Sequence, residues 1–213
     1  MKRADPVLTL AAPPTRSLMR ALVSLGLGVR VGDEARPDAA GLSEVLRAVA
    51  EARVTLIVGP SGSGKSTLLR AVRATVPGAV VPRPPRGSGR LWDLAVRCAG
   101  ERGAGPTLAS AGLAEGALLA RRVRDLSEGQ RFRAGLMAAL ARGSGPIVAD
   151  EFAAVLDAPT ARALAHTFAR ACRRARRALV VASPRDDLAR PLDADLIVNL
   201  EALSRPALKA PRS

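Results

Sequence analysis

The run Gly59-Pro60-Ser61-Gly62-Ser63-Gly64-Lys65-Ser66-Thr67 constrains this chain more than any other part of it. It follows the apolar stretch Val54-Thr55-Leu56-Ile57-Val58 and leads into Leu68-Leu69-Arg70-Ala71-Val72, which reads as strand, glycine-rich loop and helix. The spacing G-x-x-x-x-G-K-[ST] is filled by Gly59, Gly64, Lys65 and Ser66. A helix N-terminus offers unpaired N–H groups and the positive end of its dipole, and glycines let backbone wrap closely around phosphates. The implied ligand is a nucleoside triphosphate with Mg²⁺. The N–H groups of Gly62, Ser63, Gly64 and Lys65 form the expected cradle, within a binding loop that runs from Gly59 to Thr67. The Lys65 ammonium is expected on the β- and γ-phosphates, and the Ser66 hydroxyl on the metal.

The rest of the chain supports a single α/β domain over residues 1–213, with a mainly parallel sheet flanked by helices. Strands are expected at 53–58, 146–149, 178–182 and 196–200, and helices at 64–74, 127–142 and 158–177. The helix 158–177 is amphipathic, with Leu164, Phe168 and Cys172 on one face. Residues 91–98 and 108–120 read as two short helices, which makes about 90–125 a small helical subdomain. A further short strand is expected at 79–81. Pro82 to Gly89, rich in Pro, Arg and Gly, reads as an exposed loop. The first 50 residues read as a short N-terminal β region, with strands expected at 7–10 and 27–31 and a helix at 42–50; residues 203–213 read as a loose tail.

No uncharged run approaches the ~20 apolar residues that a spanning helix needs. The apolar run after the basic start is stopped by Pro13, Pro14 and Arg16, which makes a poor signal peptide. Cys98 and Cys172 have neither metal-ligand spacing nor the look of a disulfide framework, so we expect reduced thiols, no zinc and a cytoplasmic location. The formal net charge is +14, and all 33 basic residues but Lys2, Lys65 and Lys209 are Arg. They cluster at Arg121-Arg122-Val123-Arg124, at Arg131 and Arg133, and from Arg170 to Arg177. GC-rich coding is one account of an arginine-rich chain; attraction to nucleic acid or another polyanion is the other. The lone His166 reads as an exposed helix residue.

Beyond the loop, the apolar stretch at 146–149 ends in Asp150-Glu151. Acidic residues at such a strand end suit a metal contact through Asp150 and a general base in Glu151, which would polarise the attacking water. Upstream stands Leu126-Ser127-Glu128-Gly129-Gln130-Arg131, and downstream Val155-Leu156-Asp157. The first resembles the LSGGQ signature of ABC-class (ATP-binding cassette) ATPases, with Glu128 in place of a Gly; the second resembles the D-loop of that class. Order and spacing agree from about residue 50 to 200. The run from Leu126 to Arg133, with Asp150-Glu151-Phe152, also resembles a smaller group of soluble ABC-like ATPases, some joined to acetyltransferase domains.

The resemblance implies ATP and Mg²⁺ as ligands and a head-to-tail homodimer, or a dimer with a related cassette, enclosing two nucleotides. Ser127, Gly129 and Gln130 would complete the partner's nucleotide site, and Asp157 would act beside Glu151 and Lys65 in catalysis. Ser127 also suits the N-cap of its own helix. Some expected residues are missing. Pro184 stands where a switch histidine is expected, leaving Ser183 and Arg185 as alternatives. The chain's only Gln, Gln130, lies in the signature, so Asp93 is the candidate for the Q-loop position. No aromatic precedes Trp92 to stack on adenine. The reading adopted is a soluble ATPase outside transport. The alternatives are the ATP-binding subunit of a transporter, whose membrane domain lies on another chain, and a nucleotide-gated module with little hydrolysis.

Overall fold

The computed structural model describes residues 39–200. The expected strands at 7–10 and 27–31 and the tail at 203–213 lie outside the described residues. Helix α1 (Ala39–Glu51) precedes strand β1 (Val54–Val58), which is buried along its whole length. Helix α2 (Lys65–Thr75) begins at the expected loop and buries Leu68, Leu69 and Val72. Then follow α3 (Leu91–Ser110), α4 (Gly116–Leu119), a 3₁₀ turn at Val123–Asp125 and α5 (Glu128–Ala141). The chain continues with β2 (Ile147–Ala149), α6 (Ala158–Arg174), β3 (Leu179–Ser183), a short α7 (Ala189–Leu192) and β4 (Leu196–Asn199).

The four strands form one sheet in the order β2-β3-β1-β4, and every pairing is parallel. In a parallel sheet all strands end on the same rim, and there the chemistry-bearing loops gather. Apolar cores lie on both faces. One contains Leu136, Phe152, Leu164 and Phe168; the other contains Val45, Leu68, Leu69 and Val72. A third core joins α3, α4 and α5 through Leu91, Leu108, Leu113 and Met137, and this is the helical subdomain.

The helical subdomain differs from expectation in its elements. The expected helix at 108–120 does not form. Segment α3 reaches Ser110 but is broken at Gly100, whose φ 70° and ψ 168° are non-helical, so two helices meet there; beyond it only Gly116–Leu119 is helical. Gly100 does break the helix, whereas Gly103, Gly105 and Pro106 lie within the second one, where burial of Ala104 and Leu108 outweighs their local preferences. The expected strand at 79–81 is a single parallel bridge, Val80 to Ile147.

The helix expected to reach residue 177 stops at Arg174. Arg177 is buried, and its guanidinium donates to the carbonyls of Ala139, Leu140 and Gly145 at 2.6, 2.9 and 2.7 Å. It ties the end of α5 to the start of β3. Arg173 pairs with Asp193 and Asp195. Two members of the arginine run at 170–177 are therefore internal fasteners.

Candidate nucleotide site

The loop leaves β1 at Gly59 and turns into α2 at Gly64, which takes φ 93° and ψ 8°. A side chain there is strained, so glycine serves as the helix entry. A Cβ at Gly59 would stand 2.5 Å from Ser63 Oγ, so the loop closes tightly on itself. The Ser63 hydroxyl is buried with no hydrogen-bond partner, and its N–H donates to Pro60 O at 3.2 Å. Among the described residues the N–H groups of Gly62, Gly64, Lys65 and Ser66 have no acceptor. Four open donors at a helix start suit an anion with several oxygens. The Lys65 ammonium donates to the carbonyls of Gly59 and Pro60 at 2.7 and 2.6 Å, folded back over the mouth of its own loop. Ser61 and Pro60 are exposed on the loop's outer side, and Thr67 donates its N–H to Gly64 O in the first helical turn.

The acidic residues stand on the same rim. Register sets Val58 opposite Ser183 and Ala149 opposite Val181, so β3 lies between the loop strand and the strand ending at Asp150. Asp150 is exposed; its Oδ1 accepts the Glu151 N–H at 2.9 Å and leaves its other oxygen open. The exposed Ser66 hydroxyl is likewise unengaged. Two hard oxygen donors, one of them charged, fit Mg²⁺.

Glu151 has φ 48° and Ala153 φ 59°, left-handed values that a residue other than glycine adopts at a cost. The turn is held by its neighbour Phe152, whose N–H donates to Ala182 O at 2.8 Å and whose carbonyl accepts from Ser183 Oγ at 3.2 Å. The Phe152 ring is buried and meets Phe132 of α5 edge-on, with centroids 6.0 Å apart and planes at 73°. The exposed Glu151 carboxylate thus rests on a turn pinned both to the sheet and to α5.

Helix α5 begins as expected. The Ser127 hydroxyl accepts the Gln130 N–H at 3.2 Å, and Gln130 Oε1 accepts the Ser127 N–H at 3.0 Å, a reciprocal capping box. Gly129 lies close to the segment before α6: a Cβ there would come within 2.7 Å of Leu156 Cδ2. Asp157 caps α6 by accepting the Thr160 N–H at 2.9 Å, and that bond holds its carboxyl below the usual range.

The candidates for the missing family positions link these parts. The Arg185 guanidinium holds Asp187 at 3.1 and 3.2 Å and donates to Leu156 O at 3.3 Å. Ser183, buried, accepts the Arg185 N–H. Arg185 is therefore the cation beside the missing histidine, and Ser183 is already engaged. Asp93 caps α3 by accepting the Arg90 N–H at 3.2 Å. His166 is exposed on α6, as expected. The Arg185–Leu156 and Phe132–Phe152 contacts join residues far apart in sequence, and no local pattern announces them.

Residues 39–208 match the protein family described as Novel STAND NTPase 1. The chain is 33% identical over 186 residues to a phosphonates import ATP-binding protein, PhnC, of Hyphomonas neptunium, covering 67% of this chain and 70% of that protein. It is 38% identical over 106 residues to a methionine import ATP-binding protein, MetN 2, of Burkholderia mallei, covering 47% of this chain and only 25% of that protein. In structure it is similar to an RNase-L Inhibitor, with TM-score 0.54 and 19% identity over 66% of this chain and 30% of that one. It is also similar to MJ0796, a bacterial ABC transporter cassette solved as a dimer, with TM-score 0.50 and 20% identity over 70% of this chain and 82% of that one.

Proposed function

The chain belongs to the Novel STAND NTPase 1 family and to the ABC-class P-loop ATPases, and from that premise we propose that it is a Mg²⁺-dependent ATPase working as a nucleotide-sandwich dimer. One observation carries the reading: Lys65 and the Asp150-Glu151 turn open on one sheet rim, on either side of Ser183 and Arg185. The N–H groups of Gly62, Gly64, Lys65 and Ser66 bind the phosphates, within the loop Gly59-Pro60-Ser61-Gly62-Ser63-Gly64-Lys65-Ser66-Thr67. Lys65 leaves its two carbonyls and takes phosphate oxygens. Ser66 and Asp150 hold Mg²⁺, which when bound neutralises phosphate charge. Glu151 orients water for in-line attack on the γ-phosphate. Arg185 replaces the absent histidine as the cation at that phosphate. Ser127, Gly129 and Gln130 present the start of α5 to the partner's nucleotide, while Asp157 holds the loop beside it.

The unit is taken as one ABC-type domain over residues 1–213, cytoplasmic and outside transport. The last point rests on the absence of any Gln between Lys65 and Ser127. A second reading, the ATP-binding subunit of an importer with its membrane domain on another chain, is favoured by the names of the similar curated proteins. Co-purification with a membrane protein from detergent extracts would decide for it. Among the described residues no helix is long and apolar enough to cross a membrane.

The test is Glu151→Gln. A lost general base costs about 10²–10⁴-fold in rate. The variant should retain nucleotide and run as a dimer in ATP, measured by light scattering. Hydrolysis at the wild-type rate would remove Glu151 from the mechanism.

A further inference from the structure

Arginines at the edge of the helical subdomain are brought together against their own repulsion. Arg90 and Arg122 face each other across an antiparallel bridge. The hydrogen bonds flanking that bridge run from Leu91 N to Arg121 O and from Val123 N to Gly89 O, both 2.9 Å. This makes Arg90 and Arg122 a non-hydrogen-bonded pair, the closer of the two antiparallel arrangements, with Cα atoms about 4.5 Å apart. Like charges set directly opposite are destabilising. The Arg97 guanidinium lies over the same strip, both terminal nitrogens 3.7 Å from where a Gly89 Cβ would stand. Arg121 adjoins it, and its guanidinium donates to Gln130 Oε1 at 3.5 Å. Among the described residues none of these four arginines enters an ion pair, and Arg90, Arg97, Arg121 and Arg122 are all exposed. GC-rich coding exchanges Lys for Arg at constant charge. It does not pair arginines across a bridge, and the nearest carboxylate, Asp93, accepts from the Arg90 backbone N–H rather than from a guanidinium.

Beside this strip stands Trp92, the chain's one tryptophan, 38% exposed. Two residues of chain place its Cα within about 7 Å of that of Arg90. Exposed guanidinium groups with an adjacent exposed aromatic ring fit one ligand class: phosphates on a flexible backbone carrying unpaired bases that stack. A duplex offers the phosphates but keeps its bases stacked inside, and an acidic protein offers charge without planar bases.

We infer that Arg90, Arg97, Arg121, Arg122 and Trp92 form a binding surface for single-stranded nucleic acid. This inference is independent of the nucleotide site; ATP hydrolysis measured without nucleic acid reports on that site alone. The experiment titrates the full chain with a single-stranded oligothymidylate 20-mer and follows Trp92 fluorescence, with anisotropy of a labelled oligomer in parallel. Stacking should quench the emission. Four phosphate contacts give a slope of log affinity on log salt near −2.8, or about a 50-fold loss between 50 and 200 mM salt. The double variant Arg90→Ala, Arg122→Ala should halve that slope and lose only about sevenfold over the same range. Trp92→Ala should weaken binding about five- to 150-fold by anisotropy. Circular dichroism and basal ATPase of each variant, both unchanged, show that the fold persists. The inference is overturned by no binding at 50 mM salt, by equal affinity for duplex or for polyglutamate, or by a Trp92→Ala variant that binds like the wild type.

Discussion

Gly135→Ala sets two effects of known size against each other. Gly135 is buried in the interior of α5, where alanine is favoured over glycine by about 1 kcal/mol. On propensity alone the substitution stabilises. A Cβ at Gly135, however, would stand 2.8 Å from Arg83 O, 3.0 Å from Arg83 C and 3.3 Å from Pro84 N. All three atoms are backbone, so no rotamer change relieves the contact, and overpacking of this kind costs about 1–3 kcal/mol. The first contact is below any real Cβ distance, which puts the cost in the upper part of that range and leaves a net loss of about 1–2 kcal/mol. For a chain of this length each kcal/mol moves the midpoint by roughly 2–4 °C. Differential scanning calorimetry should therefore show Tm lowered by about 2–8 °C. A Tm raised by a few degrees would mean that helix propensity prevails and that the segment from Arg83 does not seat on α5.

Other outcomes follow from the same contacts. MgATP at a hundred times its Kd should stabilise the wild type by about 2.7 kcal/mol, and Lys65→Ala should abolish that thermal shift; a retained shift would place the phosphates elsewhere. Cys172 is buried and its thiol is pushed up to about 12, chiefly by desolvation, whereas Cys98 is half-buried. At pH 8 a thiol reagent should modify Cys98 of the native chain and leave Cys172 unmodified until the chain unfolds; equal rates at the two would contradict the burial of Cys172. Burial tends to raise the carboxyl of Asp195, but hydrogen bonds from Arg173 and Val54 outweigh it, so the folded value lies below the ordinary 3.8. Its stabilisation is whole above 3.8 and disappears as pH falls through the lowered value. Asp195→Asn should flatten the acid limb of a Tm–pH curve, and an unaltered limb would refute the assignment.

The parts of the fold legible in the sequence are those with a local cause. Continuous apolar runs mark β1 and β3 because a strand buried on both faces has no polar side to alternate with. Ser127 and Asp157 mark the starts of α5 and α6 because a side-chain oxygen at that place satisfies an orphan N–H. The helical subdomain was poorly legible. Its second helix, through Gly103, Gly105 and Pro106, depends on Leu108 being buried in the core shared with α5, and nothing within residues 91–110 records that surface. For the site, the phosphate loop, Asp150, Glu151 and the start of α5 were readable from spacing. Lys65 lying on Gly59 and Pro60, the left-handed turn at Glu151 and the engagement of Arg185 with Leu156 come from tertiary placement. The arginines from 170 to 177 look alike as letters, and only packing separates the buried Arg177 from its exposed neighbours.

The edge-on pair of Phe132 and Phe152 makes the molecule mechanically single. A helix carrying the signature and a turn carrying the proposed base cannot swing separately while those rings stay seated. A tilt of α5 by about ten degrees, acting over the 6.0 Å between centroids, carries the second ring by about 1 Å. That is the displacement at which misplaced catalytic groups lose about a hundredfold in rate. Docking of a second subunit against the start of α5 would thus be felt at Glu151 as a change of aim.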